Sequence, residues 1–276
     1  MPSAAFYLFA LSVLFLPNAH ALPQRIVSLA PVATEFLFAL GVGDKVVGVT
    51  TYCDRPLAAQ SIAKIGGFAD PQLEAIIKLH PDLVVATSFG RAKNVVEQLR
   101  SRGVRTLDMP VDSLHDMKRF LSTLGKEIGQ SEKSHLLQQN FDTGFALLRN
   151  SIDRTRSSPP RVLLLVSSSP LIGAAPSTFL GEVLTHVGAK NVVAAHEPSW
   201  PVLSLEHLMQ HPPDIVVVTE GSKMVENARA ALKPLILNHQ NRIRIFAPKQ
   251  PLMQRPGPYM LDDVQALING LRYSNG

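Results

Sequence analysis

The chain has 276 residues, 46% hydrophobic and 18% charged, with a formal net charge of +5. That composition fits one large or two ordinary globular domains and excludes a disordered or collagen-like chain. A single cysteine, Cys53, excludes an intramolecular disulfide and a thiolate zinc cluster, so packing must hold the fold.

The first segment reads as an address. Residues 1–21 hold an apolar stretch from 4 to 16, a breaker at Pro17 and a small-x-small end at Ala19-His20-Ala21, the pattern of a secretory signal cleaved after Ala21. The stretch is too short for a comfortable membrane span of about 20 apolar residues. Its one departure is an N-terminal region with no Lys or Arg. No cysteine lies near the cleavage point, so a lipid anchor is chemically impossible there. The expected location is the periplasm.

From there the elements come in the same order twice. A strand is expected at 25–29, a helix at 33–40 closed by Gly41, a strand at 46–49, a helix from Leu73, a buried strand at 83–87 and a last strand at 104–107. The second set has a strand at 162–166, a helix at 178–187 closed by Gly188, a short strand at 191–193, a helix from Leu205, a buried strand at 215–219 and a last strand at 243–246. Residues 73–87 align without a gap on 205–219, at an offset of 132, with seven of the fifteen pairs identical. Each copy is a short amphipathic helix, a Pro-Asp turn and a continuous β-branched run, the signature of a parallel α/β sheet.

Between the sets, residues 113–157 carry no strand signal and no Pro. Leu137, Phe141, Phe145, Leu148 and Ile152 recur at helical spacing, so a helix from about Ser131 to Thr155, roughly 35–40 Å long at 1.5 Å per residue, is expected to bridge the lobes. The predicted organisation is a signal peptide at 1–21, an N-terminal α/β lobe at 22–112, a helical connector at 113–157 and a C-terminal α/β lobe at 158–276. Two Rossmann-like lobes on one long backbone helix leave a ligand cleft between them, and limited hinge motion.

The motifs in order are Arg25-Ile26-Val27-Ser28-Leu29-Ala30-Pro31 with Thr34-Glu35, Gly48-Val49-Thr50-Thr51-Tyr52-Cys53-Asp54-Arg55-Pro56, Leu73-Glu74 with Pro81-Asp82, Trp200-Pro201, Leu205-Glu206 and Arg255-Pro256-Gly257-Pro258. Together with the repeat they make the chain resemble periplasmic substrate-binding proteins of the helical-backbone class, which serve ABC importers of cobalamin, ferric siderophores and haem. The Tyr52 segment and Trp200-Pro201 are most similar to the cobalamin-binding branch. The resemblance implies a monomeric carrier, not an enzyme, with no cofactor of its own beyond a metal-chelate cargo, and an ABC permease dimer as partner.

Glu74 and Glu206 occupy equivalent positions of the repeat, and the resemblance implies that they dock against permease arginines. A carboxylate at a helix start is favoured by the dipole, and paired with Arg it supplies register and steering. Loops at the carboxyl ends of the strands should line the cleft, which gives Pro31, Tyr52, Phe68, Phe89, Trp200 and Arg255 as ligand-binding candidates. For Phe68 and Trp200 core packing is the competing account, and for Arg255 a surface charge. Phe68 stands where haem-binding members commonly place a ligating Tyr, which counts against haem. Arg55, Arg91 and Arg255 would suit an anionic ferric siderophore, which stays the alternative to a corrinoid.

Other readings are weaker. Nine histidines do not converge by spacing on a metal site of three or four ligands, and Cys53 reads more simply as a small buried hydrophobe. Interspersed acidic and basic residues and the lack of a recognisable motif speak against nucleic acid. A secreted α/β hydrolase would need a nucleophile elbow, and no Gly-x-Ser-x-Gly occurs.

Overall fold

The computed structural model describes residues 21–86, 91–109, 113–150, 158–219, 221–240, 242–247 and 256–272, apart from the side chains of Arg91, Asn150 and Arg272. Residues 1–20 of the expected signal segment, Phe89 and Arg255 lie outside these residues.

The N-terminal lobe runs β1 (Ile26–Ser28), α1 (Pro31–Ala39), β2 (Val46–Val49), α2 (Leu73–Lys78), β3 (Leu83–Ala86), α3 (Arg91–Ser101) and β4 (Arg105–Asp108). Its four strands are all parallel, in the order β2-β1-β3-β4. The connector is α4 (Leu114–Glu127) followed by α5 (Ser131–Asn150). In the C-terminal lobe come β5 (Arg161–Ser168), β6 (Leu171–Gly173), α6 (Phe179–His186), β7 (Lys190–Asn191), α7 (Leu205–Gln210), β8 (Ile215–Val218), α8 (Ser222–Ala231), α9 (Lys233–Asn238), β9 (Arg244–Phe246) and α10 (Met260–Arg272). Its order is β6-β5-β8-β9, parallel except for β6, with β7 paired to the start of β5.

The repeat is structural as well as sequential. Helices α2 and α7, and strands β3 and β8, occupy the two segments at the same offset. The Pro-Asp aspartates explain why that turn recurs. Asp82 accepts from the backbone N–H groups of Gln24 and Arg25 at 2.7 and 3.1 Å and returns its own N–H to Arg25 O at 2.9 Å. Asp214 accepts from Arg161 N–H at 2.7 Å and donates its N–H to Arg161 O at 2.8 Å. Each aspartate thus clamps the first strand of its lobe to the strand that follows it. Gly41 and Gly188 close α1 and α6 alike, at φ +79° and +78°, with the next N–H reaching back to Leu37 O and Leu184 O. Left-handed geometry of this kind favours Gly.

Alternation along the strands sorts the core. Val27, Leu29, Val84 and Ala86 face a cluster private to the N-terminal lobe, and Leu163, Leu165, Val216 and Val218 one private to the C-terminal lobe. The opposite faces, Ile26, Leu83 and Val85 in one sheet and Val162, Leu164, Ile215 and Val217 in the other, belong to a single cluster. Side chains from α1, α4, α5, α6 and α10 complete it. One core therefore runs through both lobes.

The predicted connecting helix is present from Ser131 to Asn150, the last described residue of this segment. Its 20 described residues span about 30 Å, with Phe141 and Phe145 buried and Leu137 and Leu148 packed against the shared core. Ile152 and the expected end at Thr155 lie outside the described residues. α4 folds back on α5 through a turn at Gly129 with φ +70°, and the Ser134 hydroxyl donates to Leu121 O at 2.6 Å across the pair. A second helix also spans the lobes, which the repeat did not predict. The last turn of α10 packs Gly270 on Phe246 of β9, its first turn sets Leu261 against Gly144 of α5, and Tyr259 just before it adjoins Arg55 of the N-terminal lobe.

Candidate functional site

Both sheets reverse winding direction beside their first strand. In the N-terminal sheet β2 lies on one side of β1 and β3 on the other, and in the C-terminal sheet β6 and β8 flank β5. In open α/β sheets the crevice at the carboxyl ends of such strands is where ligands sit. Pro31 follows β1 as the first residue of α1 and is half-buried. The loop after β2 carries Tyr52, and the segment alongside β6 carries Trp200.

Tyr52 is raised into solvent by a braced loop. Strand β2 is continued by Val49 N–H to Ala63 O and Ile65 N–H to Val49 O, both 3.0 Å, and Thr51 N–H donates to Gly66 O at 3.0 Å. Beneath the loop the buried Cys53 Sγ lies 3.2 Å from both the Thr34 and Thr50 hydroxyls, and Thr34 Oγ1 donates to Ser28 Oγ at 2.8 Å. Cys53 is thus a buried member of the loop's foundation, facing away from solvent. Tyr52, one residue before it, is 60% exposed. Its ring lies over Gly67, in a turn that Gly66 enters at φ +103°. Phe68 at that turn is only half-buried, one edge packed on the shared core.

Trp200 is placed by a different device. Gly173 N–H donates to Pro201 O at 3.1 Å and Leu203 N–H to Leu171 O at 2.8 Å, with a bridge between Ile172 and Val202. The segment is thereby an antiparallel extension of β6. Strand alternation turns Pro201 and Leu203 inward, and leaves Trp200 and Val202 50% and 68% exposed. The loop placement read from the sequence understates this order. Leu57, also strongly exposed on the N-terminal side, and Val202 were not singled out by the sequence; their signal is an apolar side chain two to five residues after an aromatic candidate.

Arg55 is committed elsewhere than to an anionic ligand. Its Nε lies 3.4 Å from Oε1 of Glu35, a carboxylate buried on α1, and its guanidinium sits 5.3 Å from the ring centroid of Tyr259. It also acts electrostatically on the buried Asp263, whose pKa burial raises and Arg55 lowers, with Asp262 adding a further upward push. Sequence reading missed this group. Its signal was a glutamate on the inward face of an apolar helix, which calls for a cation.

Glu74 and Glu206 both stand exposed in the first turns of α2 and α7. Ser204 Oγ caps α7 by accepting from His207 N–H at 3.1 Å. Away from all the aromatic candidates, a concavity of about 890 Å³ opens between α4, α5 and α6, lined by Lys118, Asp142, Phe145 and Glu182 among others. Among the described residues no three His, Cys, Asp or Glu side chains gather as a metal site, and no helix is long and apolar enough to cross a membrane.

Residues 26–232 match the model of a family described as periplasmic binding protein. The chain belongs to that family. It is 28% identical to a vitamin B12-binding protein of Yersinia pseudotuberculosis over 267 residues, covering 97% of this chain and 92% of the relative. Among solved structures, the periplasmic vitamin B12 binding protein of Vibrio cholerae superposes with a TM-score of 0.72 at 26% identity, covering 91% and 98% of the two chains. A periplasmic heme binding protein of Pseudomonas aeruginosa gives 0.77 at 26%, covering 92% and 94%. A possible iron-binding periplasmic protein of Staphylococcus epidermidis gives 0.77 at 25%, covering 90% and 98%. Members of the periplasmic binding protein family bind solutes and hand them to a transporter, so a hydrolase reading has no support.

Proposed function

We propose that this chain is the solute-binding component of an ABC importer, exported by cleavage after Ala21, and that its cargo is a cobalamin-type corrinoid. The observation that carries the ligand reading is the pair of exposed aromatic rings, Tyr52 in the loop after β2 and Trp200 in the segment alongside β6, one on each lobe. Flat aromatic surfaces with scattered hydrogen-bonding groups suit a large ring system rimmed by amides. The vitamin B12-binding relatives support the same choice. Pro31, Phe68, Phe89 and Arg255 complete the proposed lining, on lobes taken as 22–112 and 158–276 joined by 113–157.

Two observations rank the other cargoes lower. Phe68 offers iron no ligating atom, which disfavours haem despite the heme-binding neighbour. Arg55 is paired with Glu35, which removes one of three cations a siderophore would use. A ferric siderophore remains the second reading because of the iron-binding neighbour.

The test is to titrate residues 22–276 with cyanocobalamin, cobinamide, haem and a panel of ferric siderophores, following Trp200 fluorescence and heat. Quenching by the two corrinoids is expected. Trp200→Ala should weaken their binding about two- to tenfold, the loss expected of a stacked aromatic beyond its area. Quenching by a siderophore alone would replace the corrinoid reading.

A further inference from the structure

We propose that Arg55 is a positioning residue that ties the Tyr52 loop of the N-terminal lobe to the start of α10, making α10 a second strut between the lobes. The tie has two contacts, to Glu35 and to Tyr259, with the charge of Asp263 nearby. The Glu35 carboxylate, 1% exposed on α1, holds the Arg55 Nε at 3.4 Å. The Tyr259 ring, one residue before α10, lies under the guanidinium with its centroid at 5.3 Å. Asp263, one turn into α10 and 8% exposed, shares the guanidinium's field.

Each attachment suits Arg in a way Lys does not match. A planar guanidinium can face an aromatic ring while one edge meets a carboxylate, whereas an ammonium offers a point charge. A carboxylate as deeply buried as Glu35 stays charged only with a cation nearby. The rest of α10 is anchored in the other lobe, through Gly270 on Phe246 and the bond from the Arg244 guanidinium to Gly270 O. Beside the Arg55 end, in the first turn of α10, Leu261 sits on Gly144 of α5. A displacement of α10 must therefore be felt by Arg55, and through the chain at 52–55 by Tyr52.

Hydrogen exchange of the ligand-free mature protein tests the tie without any assumption about cargo. Tyr259→Leu, which leaves the Arg55–Glu35 pair in place, should raise exchange at 50–58 as well as at 259–264, roughly two- to fivefold, the scale of a partly exposed cation–π contact. Arg55→Lys should give a smaller rise at both segments, and Arg55→Met a larger one. A rise confined to 259–264 in Tyr259→Leu overturns the proposal, and so does Arg55→Lys behaving as wild type at both segments. Because Arg55→Met strips a buried carboxylate of its cation and risks unfolding the lobe, the Tyr259→Leu result decides. A second arm rests on the corrinoid reading: stopped-flow dissociation of cyanocobalamin should quicken in Tyr259→Leu by a similar factor. Absence of cobalamin binding to the wild type would end that reading and leave the exchange result to judge the tie.

Discussion

Asp263 shows how a single side chain can reveal its surroundings through pH. Burial raises its pKa and Asp262 adds to this, while Arg55 works in the opposite sense. A carboxyl whose folded pKa lies above its unfolded value is bound to a proton more often in the fold. Its contribution to stability is full below the unfolded pKa and is lost as pH rises through the folded one. Asp263→Asn removes that loss, so the variant should gain stability relative to wild type as pH climbs from 4 to 7. Urea melts at several pH values measure the difference, and a difference independent of pH contradicts the burial argument. Arg55 counts here too, since its removal should widen the window in which Asp263 is costly. At this scale sequence and structure parted most clearly. Arg55 reads in the sequence as a free cation in a cleft loop, because nothing local shows that Glu35 and Tyr259, twenty residues before and about two hundred after, converge on it.

At the scale of elements, two glycines on the bridging helices separate packing from propensity. Replacing a mid-helix Gly by Ala gains about 1 kcal/mol, while forcing a methyl into a filled space costs about 1–3 kcal/mol. A Cβ on Gly270 would lie 2.2 Å from the Phe246 ring, whose edge cannot fold away. On Gly144 it would meet the tip of Leu261 at 2.4 Å, a flexible end that can turn aside. Gly270→Ala should therefore destabilise by about 1–2 kcal/mol and Gly144→Ala should be near neutral, as thermal unfolding would show. An equal loss at both would mean that Leu261 is as fixed as the ring. The elements themselves were largely legible. Periodicity and the repeat located both parallel sheets, α1, α2, α6, α7 and α5 within a few residues, since each buries a continuous or periodic apolar run. The antiparallel β6 with its Trp200 extension, and the crossing of α10, depend on partners far away in sequence and left no local pattern.

Across the whole molecule, the repeat gives the docking reading its geometry. Glu74 and Glu206 stand in the first turns of helices related by the offset of 132, each helix followed by an aspartate-clamped turn. The proposal is that they meet two equivalent subunits of a permease. Glu74→Ala combined with Glu206→Ala should abolish cargo uptake by cells while leaving the affinity of the isolated protein unchanged. Uptake at the wild-type rate would remove the assignment. Single variants should fall between, because charged contacts at an interface set encounter and register more than total affinity.

The apolar cluster common to both sheets carries a further consequence. Lobes with separate cores can be exchanged between proteins like interchangeable parts, whereas these two share one packed interior to which α5 and α10 contribute. If the cargo is held as proposed, a lineage derived from this chain would change it one exposed residue at a time, at places such as Tyr52, Leu57, Trp200 and Val202, which lie outside the shared interior.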